Sequence, residues 1–301
     1  MIGIKKTILI TGATATGKSA LAMALARQAG LGIISADSMQ VYKYLDIASA
    51  KPTKEERKLV PHAGIDLAEP TQNFSVAHWL DAVESVFKAM PGSWLVTGGS
   101  GLYVKAFLHG LDDLPESPQE LRQKWENAGL EKAVKELKRL SPEISAKVDL
   151  SNLRRVVRAI VLLELGINPM CRSFFRESRD VLHIHLKRDP VDLRNRIISR
   201  TRKMFEMGLV EEFRMLVDKG LRPGHTAWQA IGMDALRCLC EGKVSQPEAI
   251  EMIATKTWQF SRRQHTWFRK TRGMEILEIE SNCDEDRIFK KAMEIIQRHA
   301  L

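Results

Sequence analysis

TILITGATATGKS, residues 7–19, joins a short apolar run to a glycine-rich octapeptide that ends in lysine and serine. The octapeptide fits the phosphate-binding pattern G-x-x-x-x-G-K-[ST], in which glycines let backbone N–H groups approach phosphate oxygens. We therefore expect every residue of this phosphate loop to bind adjacent phosphates: Gly12, Ala13, Thr14, Ala15, Thr16, Gly17, Lys18 and Ser19. Lys18 would neutralise phosphate charge, and Ser19 would hold a Mg²⁺ ion.

The composition is typical of a globular protein, with 301 residues, 44% of them hydrophobic and 28% charged. There are 46 Lys+Arg against 37 Asp+Glu, and the formal charge of +9 favours a polyanionic partner. No run of about 18 uncharged apolar residues occurs, so no membrane span is expected. The four cysteines form no C-x-x-C pair, which fits a reducing cytoplasm and disfavours structural zinc or a disulfide framework.

The first hundred residues alternate between strand and helix patterns. Strands are expected at 7–11, 32–36 and 93–97, and helices at about 19–30 and 75–89. This alternation predicts an α/β fold, a P-loop NTPase-like parallel sheet flanked by helices. Ligands bind at the carboxyl ends of the strands in such folds, and three polar clusters of this sequence fall there.

Residues 116–180 show helix patterns only, and we expect an all-helical insertion over that range. The catalytic core would then be discontinuous, formed by residues 1–115 and 181–301. Residues 181–186 alternate like a strand and return the chain to the sheet, and the remainder is expected to be mostly helical.

Two further polar clusters follow the second and third predicted strands. Asp37 is a candidate for a metal ligand or for a general base that takes a proton from an incoming nucleophile, and a simple turn cap is the alternative. Ser100 lies among glycines that permit close backbone approach, and its hydroxyl can donate a hydrogen bond.

Seven motifs together resemble, in order and spacing, those of bacterial tRNA dimethylallyltransferases: GATATGKS (12–19), ADSMQVY (36–42), AKPT (50–53), FSVAHW (74–79), GGSGLY (98–103), WQAIG (228–232) and RRQHTWFR (262–269). The resemblance runs from about residue 6 to residue 270. It implies transfer of a dimethylallyl group from dimethylallyl diphosphate to the exocyclic amine of an adenine beside the tRNA anticodon. The phosphate loop would then hold the diphosphate leaving group, with Mg²⁺ as cofactor and without a nucleoside triphosphate.

The resemblance also implies roles for individual residues. Asp37 would be the general base, and Ser100, where most members carry Thr, would orient the amine. Arg200 is our candidate for an additional arginine on the diphosphate. The target adenine must leave its stack to enter an enclosed site. The residues expected to contact tRNA are Asp37, Ser38, Met39, Gln40, Ser100, Arg154, Arg155, Arg158, Arg262, Arg263 and Gln264.

Each arginine has an ordinary surface charge as its alternative, and the tryptophans at 79, 228 and 267 fit either base stacking or core packing. The sequence departs from the family pattern at several positions: Ala48, Ala63, Val161, Met233 and Trp258. None of these departures touches Lys18, Ser19 or Asp37.

Three other functions compete with tRNA prenylation: prenyl transfer to a free adenine nucleotide, a P-loop small-molecule kinase, and a non-catalytic RNA-binding protein. The helical insertion and the basic RRQHTWFR segment favour tRNA, because a mononucleotide requires neither. Intact Gly17-Lys18-Ser19 and Asp37 disfavour a non-catalytic protein. We expect a cytoplasmic monomer without membrane attachment, because one chain carries both donor and acceptor sites.

Overall fold

The computed structural model describes residues 7–92, 94–112, 114–170, 178–281 and 283–299. The described residues fall into two compact units. Those of 1–109 and 178–301 form the first unit, and those of 110–177 form the second. The insertion predicted at 116–180 overlaps the second unit over most of its length.

The first unit is built on a parallel sheet, which contains six strands among the described residues. In chain order they are β1 (Thr7–Gly12), β2 (Gly32–Ser35), β3 (His62–Ala63), β4 (Trp94–Gly98), β5 (Val181–Arg188) and β6 (Glu275–Ile279). Their order across the sheet is β3-β2-β4-β1-β5-β6, and every pairing is parallel. The predicted parallel α/β sheet is therefore confirmed.

α-Helices occur in both units. In chain order they are α1 (Lys18–Ala29), α2 (Lys54–Leu59), α3 (Val76–Ala89), α4 (Gly101–His109), α5 (Gln119–Ala128), α6 (Leu130–Leu140), α7 (Pro142–Ser145), α8 (Leu153–Glu164), α9 (Pro190–Glu206), α10 (Leu209–Asp218), α11 (Met233–Cys240), α12 (Gln246–Phe268) and α13 (Glu285–His299). Within the described ranges, no helix combines the length and the apolar character needed to cross a bilayer.

The position of β1 in the core of the first unit explains why its sequence contains a continuous apolar run. Ile8, Leu9 and Ile10 are at most 1% exposed, as expected of a central strand in a parallel sheet that is covered on both faces. Leu21 and Leu25 of α1, four residues apart, pack with α13 against the same core. The strand therefore holds the start of the phosphate loop rigidly in the interior.

Two strands of the sheet, β3 and β6, were not predicted from the sequence. β3 has only two residues, and β6 lies in the part of the chain that we expected to be mostly helical. In β6, Leu277 and Ile279 are buried while Glu278 is exposed, because the strand lies at the sheet edge. Five residues of this pattern are too few to separate an edge strand from a turn of helix.

The second unit is helical over its described residues, α5 to α8. Its core joins Ala133 and Leu137 of α6 to Val156 and Ile160 of α8, with Trp125 of α5 packed against them. The i, i+4 spacing within each helix creates the apolar face that the other helix covers. The arginines of α8 consequently occupy its remaining surface.

A buried lysine organises the loop that follows β2. The Lys51 side chain has no exposed area. Its ammonium group donates hydrogen bonds to the Tyr42 carbonyl oxygen and to one carboxylate oxygen each of Asp46 and Asp66, all at 2.7 Å. Three acceptors compensate the loss of water around a buried ammonium. The AKPT motif thus has an internal structural role.

A carboxylate on α10 completes the same loop. Glu212 is buried and accepts hydrogen bonds from the backbone N–H groups of Asp46, Ile47 and Ala48, at 2.9, 2.6 and 2.9 Å. Burial raises the pKa of Glu212, and the three backbone hydrogen bonds act in the opposite direction. The contact at Ala48 uses only its backbone, so the departure from the family pattern there leaves this interaction intact.

The Lys51 cluster predicts a loss of stability on neutral substitution. Lys51→Met removes the buried ammonium group and keeps an unbranched apolar side chain, while Arg57 still pairs with Asp46 at 3.9 Å and with Asp66 at 2.6 Å. Because the Tyr42 carbonyl oxygen and one oxygen of each carboxylate lose their donor, we expect the free energy of unfolding, measured by urea denaturation, to fall by about 2 kcal/mol. Lys54→Met, at an exposed position at the start of α2, is the matched control. Equal losses in the two variants would contradict the assignment.

Candidate active site

The phosphate loop connects β1 to α1, and both of its glycines are required sterically. Gly12 has a φ of +154°, and a Cβ there would lie 2.7 Å from the Leu186 carbonyl oxygen of β5. Gly17 has a φ of +101°, in the left-handed region that favours glycine, immediately before the first residue of α1. The N-terminus of α1 therefore lies beside the carboxyl end of β1, as the phosphate-loop pattern predicted.

The loop also binds its own lysine. Lys18 donates from Nζ to the Ala13 carbonyl oxygen at 2.6 Å, and the Thr16 hydroxyl donates to the same oxygen at 2.8 Å. Burial lowers the pKa of Lys18 to about 7; the positive charge of Arg200 acts in the same direction, and the charge of Asp37 opposes it. An anion bound beside Lys18 would therefore stabilise its protonated form.

Helix α9 supplies further cations to the same cavity. Arg196 donates from Nε to the Ala15 carbonyl oxygen at 3.0 Å, and Arg200 donates to the Thr14 hydroxyl at 3.4 Å. The cavity measures about 370 Å³ and is lined by Ala15, Gly17, Lys18, Ser19, Ala20, Arg196, Ser199, Arg200 and Lys203. Arg196 and Lys203 escaped the sequence analysis, although their helical spacing from Arg200 was visible in the sequence.

The DSMQ segment, residues 37–40, follows β2 at the same edge of the sheet. Asp37 accepts a hydrogen bond from the Met39 N–H at 2.8 Å. Burial lowers the pKa of Arg200, and the charge of Asp37 opposes that shift, as it does for Lys18. The carboxylate is therefore within electrostatic reach of the cations around the phosphate loop. The turn-cap alternative and a chemical role are compatible, because this bond engages one carboxylate oxygen.

The remaining DSMQ residues hold neighbouring loops in place. The Ser38 N–H donates to the Ser100 hydroxyl oxygen at 3.2 Å, so Ser100 contacts the residue that directly follows Asp37. The Gln40 side chain accepts from the Ser35 hydroxyl at 2.7 Å and donates to the carbonyl oxygens of Ser49 and Ala50 at 3.2 and 3.1 Å. The Gln40 amide is therefore engaged within the protein, and a contact to RNA by this side chain stays a prediction.

The GGSG loop, residues 98–101, follows β4 and carries Ser100. A Cβ at Gly98 would lie 2.2 Å from the Ala36 carbonyl oxygen, so the loop packs against the start of the DSMQ segment. The Ser100 N–H donates to the same carbonyl oxygen at 3.4 Å. The carboxyl ends of β1, β2 and β4 therefore bring the three predicted polar clusters together.

Gln264 of α12 is only 6% exposed and lies between two of these loops. Its Oε1 accepts from the Thr14 N–H and its Nε2 donates to the Gly99 carbonyl oxygen, both at 2.9 Å. We predicted Gln264 as a contact to tRNA, but the structure places its amide inside the protein. The side chain joins the phosphate loop to the GGSG loop.

The exposed face of α12 is basic. A groove of about 480 Å³ is lined by Gln259, Arg262, Arg263, Thr266, Trp267 and Lys270. Trp267 is 36% exposed, and its ring lies against Gly101, where a Cβ would approach it to 2.4 Å. Trp79, by contrast, is fully buried and donates from its indole N–H to the Ser35 carbonyl oxygen, so packing accounts for it.

The predicted arginines of α8 lie in the second unit and differ in their engagement. Arg158 donates to the Ser117 hydroxyl at 2.7 Å, and Arg155 pairs with Asp149 at 3.3 Å. Arg154 is exposed, and its side chain forms no hydrogen bond or ion pair with any residue that the structure describes. Arg154 is consequently the most available of the three for an external anion.

A buried polar network precedes the phosphate loop and was not foreseen. The Thr11 hydroxyl oxygen lies 2.7 Å from Nε2 of His183 and 2.9 Å from Nδ1 of His185. Burial lowers the pKa of both imidazoles to about 4. Both are therefore neutral at pH 7, and because Thr11 has a single hydroxyl proton, at least one imidazole N–H must donate for both contacts to be hydrogen bonds.

A parallel sheet with a glycine-rich loop of the phosphate-binding pattern after its central strand is the fold of a P-loop protein, and Lys18, Arg200 and Asp37 lie around that loop. Residues 40–271 match the family described as IPP transferase, and residues 5–62 match the family described as isopentenyl transferase. The chain belongs to the IPP transferase family.

Relatives of known name agree with this assignment. A tRNA dimethylallyltransferase of Sulfurihydrogenibium sp. (strain YO3AOP1) is 37% identical over 94% of this chain and 96% of its own length. Another, of Rhodococcus jostii (strain RHA1), is 38% identical over 87% of this chain and 88% of its own.

Solved structures show the same fold. The tRNA isopentenylpyrophosphate transferase of Bacillus halodurans is 32% identical, superposes with a TM-score of 0.71, and covers 98% of this chain and 96% of its own. A eukaryotic dimethylallyltransferase acting on tRNA has a TM-score of 0.80 at 23% identity, covering 96% of this chain and 77% of its own, and shows the shared fold.

The lowered pKa of Lys18 predicts that anion binding depends on pH. Above about pH 7 the unliganded lysine is largely neutral and must take up a proton to bind an anion, so affinity for inorganic diphosphate should fall as the pH rises. Lys18→Arg stays charged throughout and corrects for titration of the diphosphate itself. The quantity to measure, by calorimetry, is the affinity of the unsubstituted protein divided by the affinity of Lys18→Arg. We expect this ratio to fall by up to about tenfold for each pH unit above pH 7. A constant ratio would refute the assignment.

Proposed function

We propose that this protein transfers a dimethylallyl group from dimethylallyl diphosphate to the N6 amine of an adenosine next to the anticodon of tRNA and releases diphosphate. One observation carries the proposal: the cation-lined phosphate loop and the Asp37–Ser100 pair meet at one edge of the sheet. The names of the relatives at 37% and 38% identity support tRNA as the acceptor. Since both sites lie on one chain, we propose a monomer.

The phosphate loop serves the leaving group. As the bond between the allylic carbon and the diphosphate oxygen breaks, the electron pair leaves with the diphosphate, and negative charge increases there. Lys18, Arg196 and Arg200 surround the cavity in which that charge develops. Fixed cations and loop amides stabilise the developing anion without having to reorganise during the reaction.

Asp37 and Ser100 serve the acceptor. Adenine's exocyclic amine is a poor nucleophile, because its lone pair is delocalised into the ring. The site must therefore supply positioning and a base. As the new N–C bond forms, Asp37 takes the amine proton, and the neighbouring Ser100 hydroxyl orients the amine.

The residues present fit a Mg²⁺ ion bound together with the diphosphate. No cluster of three or more His, Cys, Asp or Glu side chains able to hold a metal occurs among the described residues. Mg²⁺ commonly uses one or two protein oxygens together with substrate phosphates. The Ser19 hydroxyl lines the cavity and would supply such an oxygen. The ion would neutralise diphosphate charge.

Exposed arginines in both units would bind the RNA backbone. Arg262 and Arg263 line the groove on α12, and Arg154 on α8 is exposed. Neutralising phosphates releases counterions, so such contacts contribute affinity that falls with salt.

The test of function is a single-turnover assay with Mg²⁺ and labelled dimethylallyl diphosphate, in which the acceptor is unmodified tRNA or AMP. We expect label on tRNA and a loss of about a hundredfold or more in Asp37→Asn, which keeps the shape but not the basicity. Lys54→Met, at an exposed position outside the candidate site residues, controls for losses of activity that arise from preparing a variant protein. Label on AMP alone would assign free-nucleotide prenylation, and phosphate transfer from ATP without either product would assign a kinase.

The arginine assignment makes a separate prediction. Arg154→Ala should weaken tRNA binding and reduce the slope of log affinity against log salt by about one, the signature of one lost phosphate contact. Arg139→Ala, at an exposed position of α6 in the same unit, removes an equal charge that is paired with Glu136 and should leave the slope unchanged. Equal slopes in Arg154→Ala and the unsubstituted protein would exclude this contact.

A further inference from the structure

We propose that Gln264 is a positioning residue that couples the donor side of the site to the acceptor side, holding the phosphate loop and the GGSG loop in a fixed mutual arrangement. The inference rests on the proposed function for the meaning of donor and acceptor. It assigns Gln264 a role inside the protein instead of a contact to RNA.

The two hydrogen bonds of Gln264, to Thr14 and to Gly99, form a bridge between the loops, and their geometry determines the orientation of the amide. The Thr14 N–H can only donate, and the Gly99 carbonyl oxygen can only accept, so Gln264 must present its oxygen to the first and its nitrogen to the second. Both bonds measure 2.9 Å, and they join segments 250 and 165 residues distant from Gln264 in the chain. An amide 6% exposed has little access to water as an alternative partner.

Gly99 contributes to the same contact between the two loops. A Cβ at position 99 would lie 2.3 Å from Nε2 of Gln264 and 3.1 Å from the Gly12 carbonyl oxygen. The absence of a side chain at Gly99 therefore makes room for the amide and for the close approach of the two loops. A side chain at this position would require the Gln264 amide to move, independently of any ligand.

On the donor side, Gln264 controls the shape of the phosphate loop. The Thr14 N–H is engaged by Gln264, and the Thr14 hydroxyl accepts from Arg200 at 3.4 Å. Releasing the backbone of Thr14 would free it to turn and would shift the anchor of Arg200. Binding of the diphosphate should weaken as a result.

On the acceptor side, Gln264 controls the position of Ser100. Ser100 follows Gly99 directly, and its hydroxyl accepts from the Ser38 N–H beside Asp37. Movement of Gly99 would displace this hydroxyl relative to the general base. A displacement of about 1 Å in such a site lowers the rate by roughly a hundredfold.

The first experiment compares Gln264→Leu with Gln246→Leu, the same substitution at an exposed position at the start of α12. For Gln264→Leu we expect kcat for tRNA prenylation to fall about ten- to a hundredfold and KM for dimethylallyl diphosphate to rise. The dissociation constant for tRNA should change less than about twofold, because a buried amide is no RNA contact. Thermal unfolding of each variant verifies folding.

A double-mutant cycle tests the coupling itself. Gly99→Ala should displace the Gln264 amide and reproduce the kinetic losses of Gln264→Leu. If the two residues act through one bridge, the double variant should lose little beyond either single variant. Losses that multiply would overturn the bridge as the cause.

A third measurement is independent of activity. Amide hydrogen exchange at Thr14 should accelerate in Gln264→Leu and in Gly99→Ala, and should be unchanged in Gln246→Leu. Unchanged exchange at Thr14, with tRNA affinity falling in parallel with kcat, would overturn the proposal and make Gln264 an RNA contact. If the unsubstituted protein transfers no prenyl group, the proposed function fails, and exchange at Thr14 still decides whether the bridge exists.

Discussion

The parallel pairing of β1 with β4 and β5 is the constraint on which the site depends. Thr11 is in register with Gly98 of β4, and Gly12 is in register with Leu186 of β5. Gly12 therefore lies close to the backbone of Leu186. The phosphate loop leaves the sheet beside Gly98, where the GGSG loop begins. Because parallel strands end at the same edge, residues far apart in sequence meet there.

Positively charged side chains at this edge of the sheet favour the binding of an anion. Burial among other cations makes the charged form of Lys18 costly in the unliganded protein, which is why its pKa falls to about 7. An arriving diphosphate would offset that cost. The arginines of α9 donate to oxygens of the phosphate loop, so contacts within the protein fix the position of these cations. Such preorganisation suits a reaction whose main demand is stabilising a leaving group.

Several residues in the family motifs support the site through internal hydrogen bonds. Lys51 of AKPT neutralises two carboxylates, Gln40 of DSMQ ties β2 to the loop that follows, and Gln264 joins two loops. Each side chain is polar, as a substrate contact would be, and polarity alone led to the assignment of the buried Gln264 to the substrate. Burial distinguishes a supporting amide from a binding amide, and burial depends on the neighbours that the fold supplies.

The linear sequence was sufficient for features that depend on near neighbours in the chain. The octapeptide predicted its loop because glycine conformations and a helix N-terminus are local properties, and the alternation of strands and helices predicted the parallel sheet. It missed β6, whose short edge pattern is ambiguous, and it gave no sign of the Thr11–His183–His185 network. Only the tertiary structure decided the bridge from Thr14 through Gln264 to Gly99. Hydrogen bonds between segments hundreds of residues apart leave no periodic pattern in a sequence, and form only where packing excludes water.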